Sequence, residues 1–136
     1  MAETTSSFRK RSAILACLRQ TKQHPSAEAL YQLLLQEHQD ISRATVYRNL
    51  ALFRDQGLIN SLGTVNGVER FDGDTAPHDH FVCSRCGCVQ DLPRVQLPAE
   101  CIGGAAETLS CRIDGCQLMF AGTCRNCLPN TQEKTN

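Results

Sequence analysis

The sequence predicts an α+β protein in which an N-terminal winged helix-turn-helix is followed by a C-terminal α/β domain that a four-cysteine zinc site stabilises. Three apolar patterns of helical period precede two short strand patterns in the first half of the chain. Two Cys-x-x-Cys pairs, Cys83 with Cys86 and Cys124 with Cys127, lie in the second half. A chain of 136 residues has room for two small domains, and each of them needs a metal or a partner subunit for stability.

The first two helices are predicted from apolar residues spaced by three and four, which mark residues 8–21 and 27–38. The first helix ends before Pro25, because proline disfavours helix in the residue that precedes it. Ser26 is the expected N-cap of the second helix.

The third helix is expected to begin after Ser42 as N-cap and to end at Gly57. One face of this helix is apolar and should point inward; its members are Val46, Leu50 and Phe53. After it, residues 58–62 and 68–71 predict two strands of a hairpin with a turn around residues 63–67.

The polar face of the third helix predicts contacts with DNA. Three helices and a hairpin make a winged helix-turn-helix, whose third helix enters the major groove. Tyr47 would contact thymine methyl groups there, and arginines would reach guanine edges or phosphates. Residues 1–54 carry eight Lys or Arg against four Asp or Glu, a balance that suits nucleic acid. The predicted contacts are Arg43, Thr45, Tyr47, Arg48 and Asn49, with Arg11 of the first helix on phosphate. The alternative is a helical bundle with a solvated arginine face.

The cysteine pairs predict structural zinc. Two residues between paired thiolates let one turn present both sulfurs to an ion, and two such turns complete a tetrahedron. Disulfide or redox pairing is the alternative, but nine cysteines are an odd number and we expect no secretory leader. The 37 residues between Cys86 and Cys124 predict a small subdomain whose first and last strands are joined by the zinc.

In the second half of the chain, strands are predicted at 79–83, 88–92 and 118–121. A helix within residues 98–110 is plausible, although Gly103 and Gly104 weaken it. Residues 73–77, with the sequence GDTAP, predict a linker.

Five features follow one another along the chain: HPSAEALY at 24–31, ISRATVYRNL at 41–50, RFD at 70–72, and the motifs His78-x-His80-x-x-Cys83-x-x-Cys86-Gly87 and Cys124-x-x-Cys127. In this order they resemble the ferric uptake regulator (Fur) superfamily over nearly the whole chain. Members are homodimeric bacterial repressors that bind DNA when a regulatory metal holds a winged-helix domain against a dimerisation domain. The resemblance therefore implies a homodimer on a palindromic double-stranded DNA operator. It also implies a DNA-binding domain at 1–72 and a metal-binding dimerisation domain at 78–136, joined by the linker at 73–77.

The resemblance further implies a regulatory metal site. Five positions match that site of the family: His24, Asp72, His78, His80 and Asp91. The first two lie in the DNA-binding half and the other three in the dimerisation half, so one metal bound by all five would bridge the domains. Histidine nitrogens with two carboxylates suit Fe(II) or Mn(II) better than tetrahedral zinc. The alternative for each residue is a structural role, such as a solvated carboxylate at a strand end.

Members of the family sense iron, zinc, manganese, nickel or peroxide. Aspartate at position 91 resembles the peroxide-responsive (PerR-like) branch, because iron-sensing members tend to carry glutamate there. In that branch Fe(II) and hydrogen peroxide oxidise a ligand histidine, which corresponds here to His24 or His78, and metal and DNA are then released. Mn(II) in the same site would repress without sensing peroxide. The alternatives are an iron- or other metal-responsive (Fur/Zur-type) uptake repressor, or a zinc-ribbon interaction module without a regulatory metal.

An enzyme is not expected. Zinc deaminases carry two motifs: a histidine ligand with a glutamate two residues later, and a Pro-Cys-x-x-Cys turn. The sequence contains neither motif. A closed four-cysteine site also leaves no position for a substrate water. No apolar run approaches the roughly 20 residues of a membrane helix, so we expect a cytoplasmic protein.

Five cysteines remain outside the predicted zinc set: Cys17, Cys88, Cys101, Cys111 and Cys116. Free cysteine packs well as a small, semi-buried side chain, which is the role we expect for them. A thiol switch involving Cys88, Cys111 or Cys116 is the alternative.

Overall fold

The structure is a computed structural model that describes residues 4–129, and these divide between Ala76 and Pro77 into two compact units. The elements of the first unit are α1 (Thr5–Gln20), α2 (Ala27–Leu35), α3 (Arg43–Asp55), β1 (Asn60–Val65) and β2 (Val68–Asp72). Those of the second unit are β3 (Asp79–Cys83), β4 (Val89–Leu92), α4 (Ala99–Leu109) and β5 (Met119–Gly122). The predicted α+β class is confirmed.

Hydroxyl side chains cap the three helices of the first unit. Thr4, Ser26 and Ser42 each accept a hydrogen bond from the backbone N–H three residues later, which satisfies a donor that the first turn leaves unpaired. The caps predicted at Ser26 and Ser42 are therefore present. Helix α1 begins at Thr5, three residues before its predicted start, and α2 ends three residues before its predicted end.

The core of the first unit lies where the three helices meet the hairpin. The inward face of α3 is fully buried, as its spacing predicts. Ile59 and Phe71 from the hairpin region pack against the helices. The buried apolar side chains are Ile14, Leu18, Ala27, Leu30, Leu34, Ile41, Val46, Leu50, Phe53, Ile59 and Phe71.

Strands β1 and β2 form the antiparallel hairpin, which turns at Asn66 and Gly67. Both turn residues have positive φ, 52° and 82°, and this is the two-residue turn whose twist matches that of the strands. The predicted first strand ends at residue 62. In the structure β1 continues through Gly63, whose φ of 78° accommodates a register irregularity, so the strand bends without ending.

The second unit contains a three-stranded sheet in the order β4-β3-β5. The central strand β3 is antiparallel to β4 and parallel to β5. Helix α4 forms across both glycines and ends at Ser110 in a left-handed conformation, and none of its residues is buried. No helix among residues 4–129 is long and apolar enough to cross a membrane.

The second unit has a small apolar core. Among its described residues, the buried apolar side chains are Cys83, Val89 and Cys124. Two of these three are predicted zinc ligands. A unit with so little buried apolar surface requires another source of stability, such as a metal or a partner subunit.

Candidate metal centres and DNA-facing helix

A cluster of thiols forms where β3, its following turn and the end of β5 meet. Cys83 closes β3, and Gly87, at a φ of 76°, turns the chain back and donates its N–H to the Cys83 carbonyl at 2.9 Å. The chain leaving β5 then reaches Cys124. The Sγ atoms of Cys83, Cys86, Cys88 and Cys124 all lie within 4.8 Å of one another.

Backbone donors and neighbouring thiols set the electrostatics of this cluster. The N–H groups of Cys86 and Cys124 point at the sulfur of Cys83, at 3.5 and 3.3 Å, and lower the pKa of that thiol to about 6. The thiol of Cys127 interacts with Cys124, Cys83 and Cys86, and contact with Cys124 is the main reason why its pKa rises to about 12. Crowded thiols cannot all ionise together without a cation. The cluster therefore fits structural Zn(II), which binds four thiolates at one point.

Cys88 belongs to this cluster, although the sequence predicts only a packing role for it. Burial, followed by the neighbouring thiols of Cys86 and Cys124, raises its pKa to about 12. The signal for Cys88 lies in the register between β3 and β4, which the structure shows. Because Val82 pairs with Val89, the next pair across the ladder is Cys83 with Cys88, and such partners share one face of the sheet.

In the first unit, His24 and Asp72 bring together two side chains of kinds that bind metal ions. The Nε2 atom of His24 lies 3.3 Å from Oδ2 of Asp72, and the two side chains are only 3% and 7% exposed. One imidazole nitrogen and one carboxylate thus converge in a buried place. We refer to His24 and Asp72 as the first half-site.

The backbone around His24 is held by strand β2. The guanidinium of Arg70 donates to the carbonyls of His24 and Gln23, the latter at 2.8 Å. The N–H of Phe71 donates to the Pro25 carbonyl at 3.0 Å. These bonds fix the loop beside the end of β2, where Asp72 lies.

His24 itself has a φ of 51°, a left-handed conformation that is uncommon for a residue other than glycine. Such a conformation costs about 1–3 kcal/mol and persists where the surrounding structure enforces it, often at functional sites. Here the Arg70 contacts enforce it. The strain is consistent with a binding role for His24.

The second unit contributes His78, His80 and Asp91, which we call the second half-site. The Nε2 atoms of His78 and His80 lie 3.1 and 3.3 Å from the same carboxylate oxygen of Asp91. The two rings are 4.4 Å apart between centroids, as expected for residues spaced by two along an extended chain. Asp91 reaches them because it pairs directly with His80 across the β3–β4 ladder.

The acid between the two histidines has a different role. Asp79 is buried and accepts hydrogen bonds from the N–H groups of Val95, at 2.6 Å, and Leu118, at 3.2 Å. The Val95 contact is the main cause that lowers the pKa of Asp79. This carboxylate therefore ties together two chain segments of the second unit.

The predicted DNA contacts on α3 differ in accessibility. Tyr47 is 51% exposed, and Arg43 and Arg48 are also exposed. Asn49 is buried and donates from Nδ2 to the carbonyl of Thr45 at 2.8 Å, so its amide is already bonded within the helix. Thr45, and Arg11 on α1, are half-buried.

Arg43 is bound within the first unit. Its Nε donates to Oε2 of Glu28 at 2.9 Å, and its guanidinium lies 4.5 Å from the ring centre of Tyr31. A contact between Arg43 and DNA must therefore compete with Glu28.

Comparisons with known proteins show the family of this chain and its fold. The sequence model of the ferric uptake regulator family matches residues 5–104. The chain is 39% identical over 88 residues to the peroxide-responsive repressor PerR of Staphylococcus aureus strain USA300. The aligned residues make up 65% of this chain and 60% of that relative. The alignment thus spans less than two thirds of the relative's length.

Solved structures show the same fold. The ferric uptake regulator of Vibrio cholerae superimposes with a TM-score of 0.71 at 30% identity, over 91% of this chain and 92% of that one. The Campylobacter jejuni peroxide stress regulator superimposes with a TM-score of 0.73 at 26% identity, over 90% and 91% of the two chains. A zinc-bound manganese uptake regulator gives a TM-score of 0.64 at 27% identity, over 91% of both.

Proposed function

The chain belongs to the ferric uptake regulator family, and on this premise we propose that it is a metal-dependent DNA-binding repressor that senses hydrogen peroxide. Fe(II) is the proposed peroxide-reactive metal, and Mn(II) is an alternative corepressor. The observation that carries the proposal is the second half-site, in which two imidazoles converge on the short carboxylate of Asp91.

The donor atoms of both half-sites fit these metals. Imidazole nitrogens and carboxylate oxygens suit Fe(II) and Mn(II), whereas the sulfur cluster suits zinc. The first half-site offers two ligands and the second offers three, and neither number alone completes the coordination shell of such an ion. We therefore propose that His24, Asp72, His78, His80 and Asp91 bind one regulatory ion together.

Binding through both units would convert metal occupancy into DNA affinity. An ion that needs ligands from each unit favours the one arrangement in which all five side chains meet. The loss of any ligand then weakens that arrangement, and a linkage of this kind is reciprocal, so DNA should also strengthen metal binding.

Peroxide would break this linkage by modifying a ligand. The ligands of both half-sites would hold Fe(II), which would supply redox catalysis for cleavage of the O–O bond of hydrogen peroxide, with no net change of the iron. In the net reaction one oxygen atom is inserted into a ring C–H bond of the imidazole of His24 or His78, which loses two electrons to the peroxide, and the second oxygen leaves as water with the two peroxide hydrogens. An oxidised imidazole is a poorer nitrogen ligand, so the two half-sites separate and the DNA is released.

The proposed DNA complex is a homodimer on a palindromic operator. In a symmetric dimer, the two copies of α3 contact the two matching halves of the DNA operator. The second unit exposes large apolar side chains that a partner subunit would cover, among them Leu109 at 70%, Phe120 at 43% and Met119 at 42%. A repressor of this kind acts in the cytoplasm.

A DNA-binding titration tests the proposal. DNA would be selected from a random double-stranded library with Mn(II)-loaded protein, and its affinity would then be measured by fluorescence anisotropy. We expect Fe(II) or Mn(II) to tighten binding, and equimolar peroxide to release DNA from the Fe(II) form alone. Equal affinity with and without the second metal would favour the zinc-ribbon alternative.

Iron sensing is the second candidate, supported by the 30% identity to the Vibrio cholerae ferric uptake regulator. The variant Asp91→Glu separates the two candidates, since the longer side chain keeps the charge but moves the carboxylate relative to both imidazoles. A peroxide sensor should keep Mn(II)-dependent DNA binding in this variant and lose most of its response to peroxide. A response that is absent from the wild type and the variant alike would identify an iron or other metal sensor.

A further inference from the structure

We propose that Cys83, Cys86 and Cys124 are fixed ligands of the structural zinc, and that Cys88 and Cys127 share the fourth coordination position. The sequence motif provides two Cys-x-x-Cys pairs, but the structure gathers five thiols at this place. A tetrahedral zinc site accepts four of them. One thiol is therefore in excess, and Cys88 and Cys127 are the two that reach the other three from different elements.

The position of Cys88 is fixed by the sheet. The N–H of Cys83 donates to the carbonyl of Cys88 at 2.9 Å, which continues the β3–β4 ladder by one pair beyond Val82 and Val89. Directly opposed residues in an antiparallel pair present their side chains to the same face. The thiol of Cys88 is thus directed to the face where Cys83 lies. Strand pairing, in addition to the side-chain rotamer, places it in the cluster.

The position of Cys127 is fixed by a different element. Its N–H donates to the carbonyl of Cys124 at 3.0 Å, and the N–H of Leu128 donates to the same carbonyl at 2.9 Å. This turn follows β5 and brings the thiol of Cys127 against Cys124, Cys83 and Cys86.

The two candidates approach the same three partners. Cys88 completes a group with Cys83, Cys86 and Cys124 in which all sulfurs lie within 4.8 Å of one another. Cys127 interacts with those same three thiols. The three shared thiols define three corners of the tetrahedron, while a ladder residue and a turn residue both have access to the fourth.

Zinc retention in variants tests this sharing. The variants are C88S, C127S and the double variant C88S/C127S, and C116S serves as a control because Cys116 is an exposed cysteine of the same unit. Zinc per chain would be counted by native mass spectrometry during titration with a chelator. We expect both single variants and the control to retain zinc like the wild type. The double variant should bind zinc at least about tenfold more weakly, because one corner then lacks sulfur.

Three results would overturn the proposal. If C127S released zinc as readily as the double variant, Cys88 would not be a ligand. A comparable loss in C88S alone would make Cys88 obligatory rather than interchangeable. Full retention in the double variant would show that neither thiol is needed.

Pulse labelling of the zinc-loaded wild type provides a second measurement that does not depend on the folding of any variant. A brief exposure to N-ethylmaleimide should modify Cys88 in some molecules and Cys127 in others, while the three fixed ligands stay protected. Labelling confined to one of the two cysteines would contradict sharing. Both experiments read zinc or thiol protection and not DNA binding, so their outcome is independent of the proposed repressor function.

Discussion

Nε2 of His24 and Oδ2 of Asp72 lie 3.3 Å apart, and both side chains are almost fully buried. These residues are far apart in the sequence, and hydrogen bonds from Arg70 and Phe71 hold the His24 loop against β2. A buried carboxylate beside an imidazole is costly unless a cation or a proton compensates its charge. The first unit therefore holds an imidazole nitrogen and a carboxylate oxygen close together in a buried place.

Removal of the charge of Asp72 should uncouple metal from DNA. In the structure the N–H of Asp74 donates a hydrogen bond to Oδ1 of Asp72 at 2.9 Å. The variant Asp72→Asn keeps an oxygen that can accept this bond but no longer offers a carboxylate. We expect Mn(II) affinity, measured by isothermal titration calorimetry, to fall by about tenfold or more. Asp74→Asn, a change in an exposed neighbour, should retain wild-type affinity. Wild-type Mn(II) affinity in Asp72→Asn as well as in Asp74→Asn would exclude Asp72 as a ligand.

Zinc removal should unfold the second unit and spare the first. The first unit has a continuous apolar core, whereas the second has three buried apolar side chains among its described residues. Zinc binding by small domains contributes most of their folding free energy. After chelation under reducing conditions, hydrogen exchange should become fast in residues 79–92 and stay slow in residues 43–55. Retained protection in the first of these segments would contradict a structural role for zinc.

Arg48 should contribute to DNA affinity through a phosphate or base contact. The variant Arg48→Ala is expected to weaken binding in the presence of Mn(II). If the contact is to phosphate, the slope of log K against log salt should decrease in magnitude by about 0.9. Arg112→Ala is the matched control, because this arginine of the second unit pairs with Asp114 and is 87% exposed. An unchanged affinity in Arg48→Ala would remove this residue from the interface.

The Glu28–Arg43 pair should restrain DNA binding. Its hydrogen bond to Arg43 is the main cause that lowers the pKa of Glu28. Because the folded pKa is depressed, the stabilising effect is present above the ordinary glutamate pKa and is lost as pH falls through the lower folded value. Glu28→Gln should flatten that acid dependence of stability. It should also raise DNA affinity at neutral pH, because Arg43 is then released from Glu28. The expected gain is only roughly two- to fivefold, since an exposed ion pair contributes little free energy.

The control for this charge change is Glu107→Gln, which removes an acid from the exposed helix α4 of the second unit. Its DNA affinity should match that of the wild type. Anisotropy titrations of both variants at one salt concentration make the comparison. A decrease in affinity for Glu28→Gln would show that Glu28 positions Arg43 for DNA rather than competing with it.

Local patterns predicted the elements whose determinants are close in sequence. The spacing of Val46, Leu50 and Phe53 identified the buried face of α3, and Ser42 marked its start, because caps and helical periods act over three or four residues. The cysteine motifs predicted the sulfur cluster for the same reason. The His78 and His80 pair followed from the alternation of side chains along an extended chain.

Features that depend on distant contacts were not predictable in this way. The left-handed backbone of His24 is enforced by Arg70, which is 46 positions away in the chain. Cys88 joins the thiol cluster through strand register, and that register becomes visible only when β3 and β4 are paired. Helix α4 forms despite its two glycines and buries none of its residues, so neither propensity nor a core explains it within the single chain.

Oxidation of a ligand histidine is the direct test of peroxide sensing by this protein. Reduced protein would be loaded with Fe(II) without oxygen, treated with stoichiometric hydrogen peroxide, digested with trypsin and sequenced by mass spectrometry. The peptide 23–43 contains His24 and His38, and the peptide 71–85 contains His78 and His80, so His38 is an internal control. We predict one added oxygen on His24 or His78, none on His38, and none in a Mn(II)-loaded sample. Unmodified histidines in the Fe(II) sample, or oxidation confined to cysteines, would contradict peroxide sensing through the proposed site.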